Sequence, residues 1–134
     1  MVQCTILNAG NNFMMILKLK SFAGWADDEN ISDSSIKKAV KEIERGLVDA
    51  NLGAGLLKKR VARDGAGKSG GFRTMLAFQD NNRAIFILGF PKSKKDNIAK
   101  DELRKLKILS KALLRATDAE IQKRILAGEL IEVK

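Results

Sequence analysis

Residues 61–78, VARDGAGKSGGFRTMLAF, admit two incompatible readings. In the first, Ala62, Gly67, Lys68 and Ser69 meet the loose spacing of a phosphate-binding loop. Such a loop needs a strand before it and a helix after it, so that backbone amides and the helix N-terminus both face the phosphates. Here Lys68-Ser69 is followed by Gly70-Gly71 and then FRTMLAF, rich in aromatic and other strand-favouring residues. The first glycine of the stricter pattern is replaced by Ala62. A chain of 134 residues is also short for a parallel nucleotide-binding domain with its several crossover helices. The second reading fits: two antiparallel strands joined by a Gly-rich loop that carries Lys68 near its tip.

The neighbouring sequence extends this hairpin. GLLKKRVAR (55–63) is its first strand and GFRTMLAFQ (71–79) its second. NNRAIFILGF (81–90) follows a turn at Asp80-Asn81-Asn82 and makes a third. Its unbroken apolar run, Ala84 to Leu88, belongs to a strand covered on both faces, which places it inside the sheet. Upstream, MILKLK (15–20) alternates as a half-buried strand does. SFAGWADDENISD (21–33) reads as a helical turn and a loop, with Phe22 and Trp25 on one face. Ile36, Val40, Ile43 and Leu47 then recur at helical spacing behind an N-cap at Ser32 or Asp33, and Gly46 stands near the stop. NLGAG (51–55) reads as a Gly-rich link. A second helical period runs from Lys100 through Leu103, Leu106, Leu109 or Ile108, and Leu113. Thr117 and Glu120 have capping-box spacing for a shorter helix closed by Gly128, and ELIEVK (129–134) is left as a short strand or a frayed tail.

Composition narrows the chemistry. The formal net charge is +9, from 25 Lys and Arg against 16 Asp and Glu, which favours a polyanionic partner such as nucleic acid, or an acidic protein. Cys4 is the single cysteine, and there is neither histidine nor tyrosine. An internal disulfide, the usual Cys/His zinc sites and imidazole-based catalysis are therefore excluded, and no metal or cofactor is expected. Lys, Arg, Asp, Glu, Ser and Thr must supply any reaction. No apolar run reaches the ~18 residues of a membrane span. With one cysteine and no signal-like start, a cytoplasmic location without membrane contact is expected. Met14-Met15 resembles a second start, so residues 1–14 are expected to be an extension without function.

Strand periodicity sorts the charges. Lys58 and Arg60 share one face of the first hairpin strand, opposite Leu57 and Val61. Arg73 and Met75 share the matching face of the second strand, opposite Phe72, Thr74, Leu76 and Phe78. Lys59 lands on the apolar face and is expected to snorkel to an edge. Lys92, Lys94 and Lys95 follow the third strand. Together these residues make a cationic concavity with Phe90 beside it, suited to a phosphate backbone. Lys59, Arg63, Lys68 and Phe90 are the expected RNA contacts around it.

GLLKKRVARDGAGKSGGFRTMLAF, followed by RAIFILGFPKSKKDNI and a Leu-rich basic helix, resembles the RelE/HigB-like toxins of bacterial toxin-antitoxin pairs, within the RelE/ParE superfamily. The likeness covers roughly residues 15–116, and ATDAEIQKRILAGELIEV resembles a C-terminal helical tail (117–134) found in one branch. The resemblance implies an α+β fold, a small antiparallel sheet with N-terminal helices packed on one face and C-terminal helices. It also implies an endoribonuclease that cleaves mRNA, usually on the ribosome, and that is silenced by a cognate antitoxin. By position it assigns the catalytic cations to Lys58, Arg60, Arg73 and the Lys92, Lys94, Lys95 loop. Two departures stand out: the C-terminal tyrosine or histidine of some relatives is missing, and Ser93 occupies a position where arginine is common.

A ribonuclease without imidazole can use the substrate's 2′-hydroxyl as nucleophile, needing from the protein a base, an acid and cations at the phosphate. Arg73, helped by Arg60, suits the last role. Lys58, crowded by Lys59 and Arg60, is the candidate base, and Lys92, Lys94 or Lys95 the acid. Two other functions share the pattern: a ParE-like inhibitor of DNA gyrase, and a basic RNA-binding module that cuts nothing.

Overall fold

The computed structural model describes residues 14–62, 71–91 and 98–134. In chain order these form β1 (Met15–Leu19), α1 (Lys20–Asp28), α2 (Asp33–Glu44), β2 (Ala50–Gly53), β3 (Leu56–Val61), β4 (Phe72–Gln79), β5 (Arg83–Pro91), α3 (Lys100–Arg115), α4 (Asp118–Leu126) and β6 (Leu130–Glu132). The architecture is α+β, with one six-stranded sheet in the order β2-β3-β4-β5-β1-β6.

The two paired strands of the hairpin reading are present, while its loop at 63–70 lies outside the described residues. β3 and β4 pair antiparallel from Leu56↔Ala77 to Val61↔Phe72, and β4 pairs antiparallel with β5. Three local expectations change. The sheet is not wholly antiparallel, because β1 lies parallel to β5, with the helices and the hairpin strands intervening in sequence. Half of the supposed link at 51–55 is the edge strand β2, joined to β3 through Ala54 and Gly55 at positive φ. The first helix is a full nine residues and starts directly from β1. Of the two N-cap candidates for α2, Ser32 serves, its hydroxyl accepting the Ser35 N–H at 3.2 Å.

Two apolar clusters lie against the two faces of the sheet. One joins Phe22 and Ala26 of α1 and Ile36, Ala39, Val40 and Ile43 of α2 to Leu57, Val61, Phe72, Leu76, Ala84 and Phe86. The other joins Leu113 of α3 and Ile121 of α4 to Leu17, Leu56, Met75, Ala77, Ile85, Ile87 and Leu130. β5 is thus apolar at consecutive positions because both of its faces are covered, and its neighbours β4 and β1 bond both of its edges.

β5 also carries a bulge. Met75 pairs with Leu88 but Leu76 pairs with Phe86, so Ile87 is an extra residue. Strict alternation from Phe86 would put Phe90 under α1 and α2. After the extra residue, Leu88 and Phe90 pack on the α3 side instead, and Gly89 turns toward Trp25. A Cβ on Gly89 would collide with the Trp25 ring, which is held against Phe22 at 5.5 Å and Phe72 at 5.2 Å between centroids.

The C-terminal elements close the far edge. Thr117 and Glu120 form the expected capping box, at 2.7 and 3.1 Å. The Thr117 backbone N–H holds the Glu120 carboxyl below the usual carboxylate range. Arg83, at the start of β5, is buried and donates to the carbonyls of Leu113 and Ala116 and to Asp118 Oδ1, at 2.8–2.9 Å, tying the α3–α4 elbow to the sheet. Of the two options for ELIEVK, the strand is realised: β6 pairs antiparallel with β1, so β1 is interior and not an edge. Among the described residues no helix is long and apolar enough to cross a membrane.

Lys59 corrects the expectation of a snorkelling, RNA-touching lysine. It is 3% exposed, and its ammonium meets Glu42 of α2 at 2.8 Å, inside the layer between α2 and the sheet. Glu42 is 6% exposed for the same reason. Lys18 is handled alike, buried and bonded to Asp33 at 2.8 Å.

Removing one partner of a buried pair strands the other charge, whereas replacing both with apolar residues need not destabilise. Lys59→Ala is expected to lower the unfolding free energy by ~3–5 kcal/mol in urea titration, and Lys59→Met with Glu42→Leu to recover most of that loss. Gly89→Ala is expected to cost about 1–3 kcal/mol through overpacking, and to shift the fluorescence of the single tryptophan, Trp25, against which the new methyl would press.

Candidate functional site

The sheet face under α3 carries the charges that periodicity grouped. Arg60 of β3 pairs with Arg73 of β4, and Arg73 pairs with Phe90 of β5, so three adjacent strands present Arg60, Arg73 and Phe90 in one row. One step further along the face lie Lys58, Met75 and Leu88, again in register. The β5 bulge completes the first row, since without the extra residue at Ile87 the Phe90 ring would point to the other side of the sheet.

Environment differs along the row. Arg60 is well exposed, with 44% of its side chain open to water, and its Nε lies 3.7 Å from Asp49 Oδ2. That separation makes an ion pair without a proper hydrogen bond, and both groups are solvated, so the contact is weak. Arg73 is partly buried, with Nη1 fully withdrawn from water. Lys58 is half-buried and Phe90 packs on the α3-side cluster.

Two features of the site were not read from the sequence. Asp49 was passed over as a loop residue after α2. Its N–H donates to the Lys58 carbonyl at 3.0 Å, which brings its carboxylate beside Arg60. The lysines of α3 were given no role beyond membership of a Leu-rich basic helix, although α3 packs on the same face as the cationic row.

Of the residues expected to act, Lys58, Arg60, Arg73 and Phe90 come together. Lys59 does not; it faces α2 through the opposite side of β3. Arg63, Lys68, Lys92, Lys94 and Lys95 lie outside the described residues. Val61, Phe72 and Pro91 are nonetheless aligned in register at the end of the sheet next to the Arg60–Arg73–Phe90 row.

Chemically, the row is suited to an anion. Two guanidiniums side by side can hold the non-bridging oxygens of one phosphate or of neighbouring ones. A half-buried aromatic beside them offers a face to a base. Among the described residues no group of three or more His, Cys, Asp or Glu side chains is arranged to hold a metal ion.

Comparison with protein-family models matches the RelE toxin of the RelE/RelB toxin-antitoxin system over residues 14–133. No curated protein matches the chain. The match runs from the residue before β1 to the residue after β6 and so takes in the whole described sheet and the cationic row. The chain belongs to the RelE toxin family, whose members are the toxin halves of toxin-antitoxin pairs.

Proposed function

We propose that this RelE-family toxin is a metal-independent endoribonuclease that cuts messenger RNA, in association with the ribosome, and so arrests translation. The observation that carries the proposal is the Arg60–Arg73–Phe90 row, two permanently charged forks and an aromatic ring in register at one end of the sheet.

The substrate's 2′-hydroxyl attacks the adjacent phosphorus and the 5′-oxygen leaves, so the protein must stabilise charge on the phosphate and move two protons. Arg73, fixed in the middle of the row, holds the non-bridging oxygens, and Arg60, directly opposite it, adds a second cation. Lys58, one step along the same face, is the candidate base. Lys92, Lys94 and Lys95, which lie outside the described residues, are the candidates for the acid. Arg63 and Lys68 extend the RNA contact, and Phe90 stacks on a base next to the scissile bond. Alignment of the message by the ribosome supplies part of the acceleration, which suits a site without imidazole. The cognate antitoxin is an acidic or amphipathic chain whose charge complements this face, so its association is fast and salt-sensitive.

A short pulse of expression, with RNA 5′ ends mapped across the transcriptome, tests the proposal. New ends inside translated frames are expected with the wild type and absent with Arg73→Ala. Growth arrest and an induced DNA-damage response without new RNA ends would replace the nuclease with a gyrase-type inhibitor. In a purified cleavage assay, Lys58→Ala is expected to slow cutting by roughly 100-fold or more, the usual contribution of one general base or acid. An unchanged rate would remove Lys58 from that role.

A further inference from the structure

From Leu103 to Thr117 the chain carries Arg104, Lys105, Lys107, Lys111 and Arg115 and no acidic residue. This is the most one-sided charge run within the described elements, and the catalytic proposal uses none of it. Arg104, Lys107 and Lys111, spaced three and four apart, stand on one flank of α3. The contacts of α3 show which way that flank faces. Ser110 Oγ donates to the Ala54 carbonyl at 2.9 Å, and a Cβ on Gly55 would meet Leu114 Cδ1. Lys107 Nζ lies 3.6 Å from where a Cβ of Gly53 would stand. The flank therefore borders the turn between β2 and β3, on the sheet face that carries Lys58 and Arg60.

Gly53 pairs with Leu56, two residues before Lys58 and four before Arg60. At ~3.3 Å per residue, Lys107, Lys58 and Arg60 follow one another in steps of about 7 Å along the strand direction. Arg104 and Lys111 are exposed, and the one ion pair of Arg104, to Asp101 at 3.8 Å, is exposed on both sides and weak. Gly53 at positive φ keeps the strand side of this border free of any side chain that would crowd Lys107.

We infer that the Arg104, Lys107 and Lys111 flank of α3 binds the phosphates of the RNA strand beyond the cleavage point, continuing the track of Lys58 and Arg60 out to the β2–β3 turn. These are binding and positioning residues, with no part in the chemical step. The inference rests on the nuclease reading for its substrate, single-stranded RNA, but its test does not depend on cleavage.

A short fluorescent 2′-O-methyl RNA, which lacks the attacking hydroxyl, is titrated with the full chain over a range of salt. Arg104→Gln/Lys107→Gln/Lys111→Gln is expected to weaken binding at least ~10-fold and to reduce the slope of log affinity against log salt by about 2, at roughly 0.7 per lost single-strand phosphate contact. Lys37→Gln/Lys38→Gln/Lys41→Gln removes the same charge from the exposed side of α2, across the sheet, and is expected to change neither. Equal losses in the two triple variants would mean a diffuse net-charge effect and overturn the assignment. Unchanged binding by the α3 variant, with binding lost in Arg60→Gln/Arg73→Gln, would overturn the α3 track while leaving the nuclease site standing. No binding by the wild type, together with no new RNA ends in cells, would remove both. An α3 variant that binds RNA normally but escapes its antitoxin in a co-expression growth assay would reassign the flank to the protein partner.

Discussion

β5 is hydrogen-bonded along both edges and covered on both faces, and the functional end of the molecule depends on how that constraint is met. A strand so enclosed cannot slide, because a one-residue slip would turn its whole apolar set to the wrong side. The single extra residue at Ile87 is thus locked in place, and its effect is local and definite. Before it, alternation serves two packed cores. Beyond it, Gly89 accepts the Trp25 ring on one side and Phe90 joins Arg73 and Arg60 on the other. The same bulge that lets α1 sit close to the sheet also assembles the cationic row.

Charge in this protein divides by layer. Lys18 and Lys59 sit between the sheet and α2, each bonded to a carboxylate of that helix at 2.8 Å, while Lys58, Arg60 and Arg73 lie on the other face. Alternation along β3 makes the division unavoidable: three consecutive basic residues cannot all face one way. Lys59 must enter the apolar layer, and Glu42 must enter with it, since an isolated ammonium there would be strongly disfavoured. The excess of positive charge is therefore an imperfect measure of the basic surface open to a polyanion, because part of it is neutralised inside.

Most of the strand layout was legible because its signals are local. The Gly-Gly before FRTMLAF excluded a helix start, the apolar run of β5 required two covers, and Thr117 with Glu120 announced a cap that forms as read. What escaped was non-local. Nothing in MILKLK states that β1 will lie parallel to β5, or that Leu130–Glu132 will return to cover its other edge. The bulge is equally silent, since Ile87 is as apolar as its neighbours and only the pairing with β4 shows it to be extra. Within the site, periodicity found Lys58, Arg60 and Arg73, whose partners are set by the hairpin. It missed Asp49 and the α3 flank, which reach the same face through packing between distant segments.

Like charges directly opposite across a strand pair are destabilising, and Arg60 stands directly opposite Arg73. Asp49 relieves this only weakly, at 3.7 Å and in partial solvent. The two guanidiniums sit side by side on the rigid sheet, and an anion bound between them would offset their mutual repulsion as it adds its own attraction. A ligand that binds only the folded state stabilises that state by mass action. On the proposed reading, polyanion capture and fold stability are linked at this face, whether the anion is a message or the acidic segment of a protein partner. Two such ligands would compete for the same relief, a physical reason why occupancy by one would exclude the other.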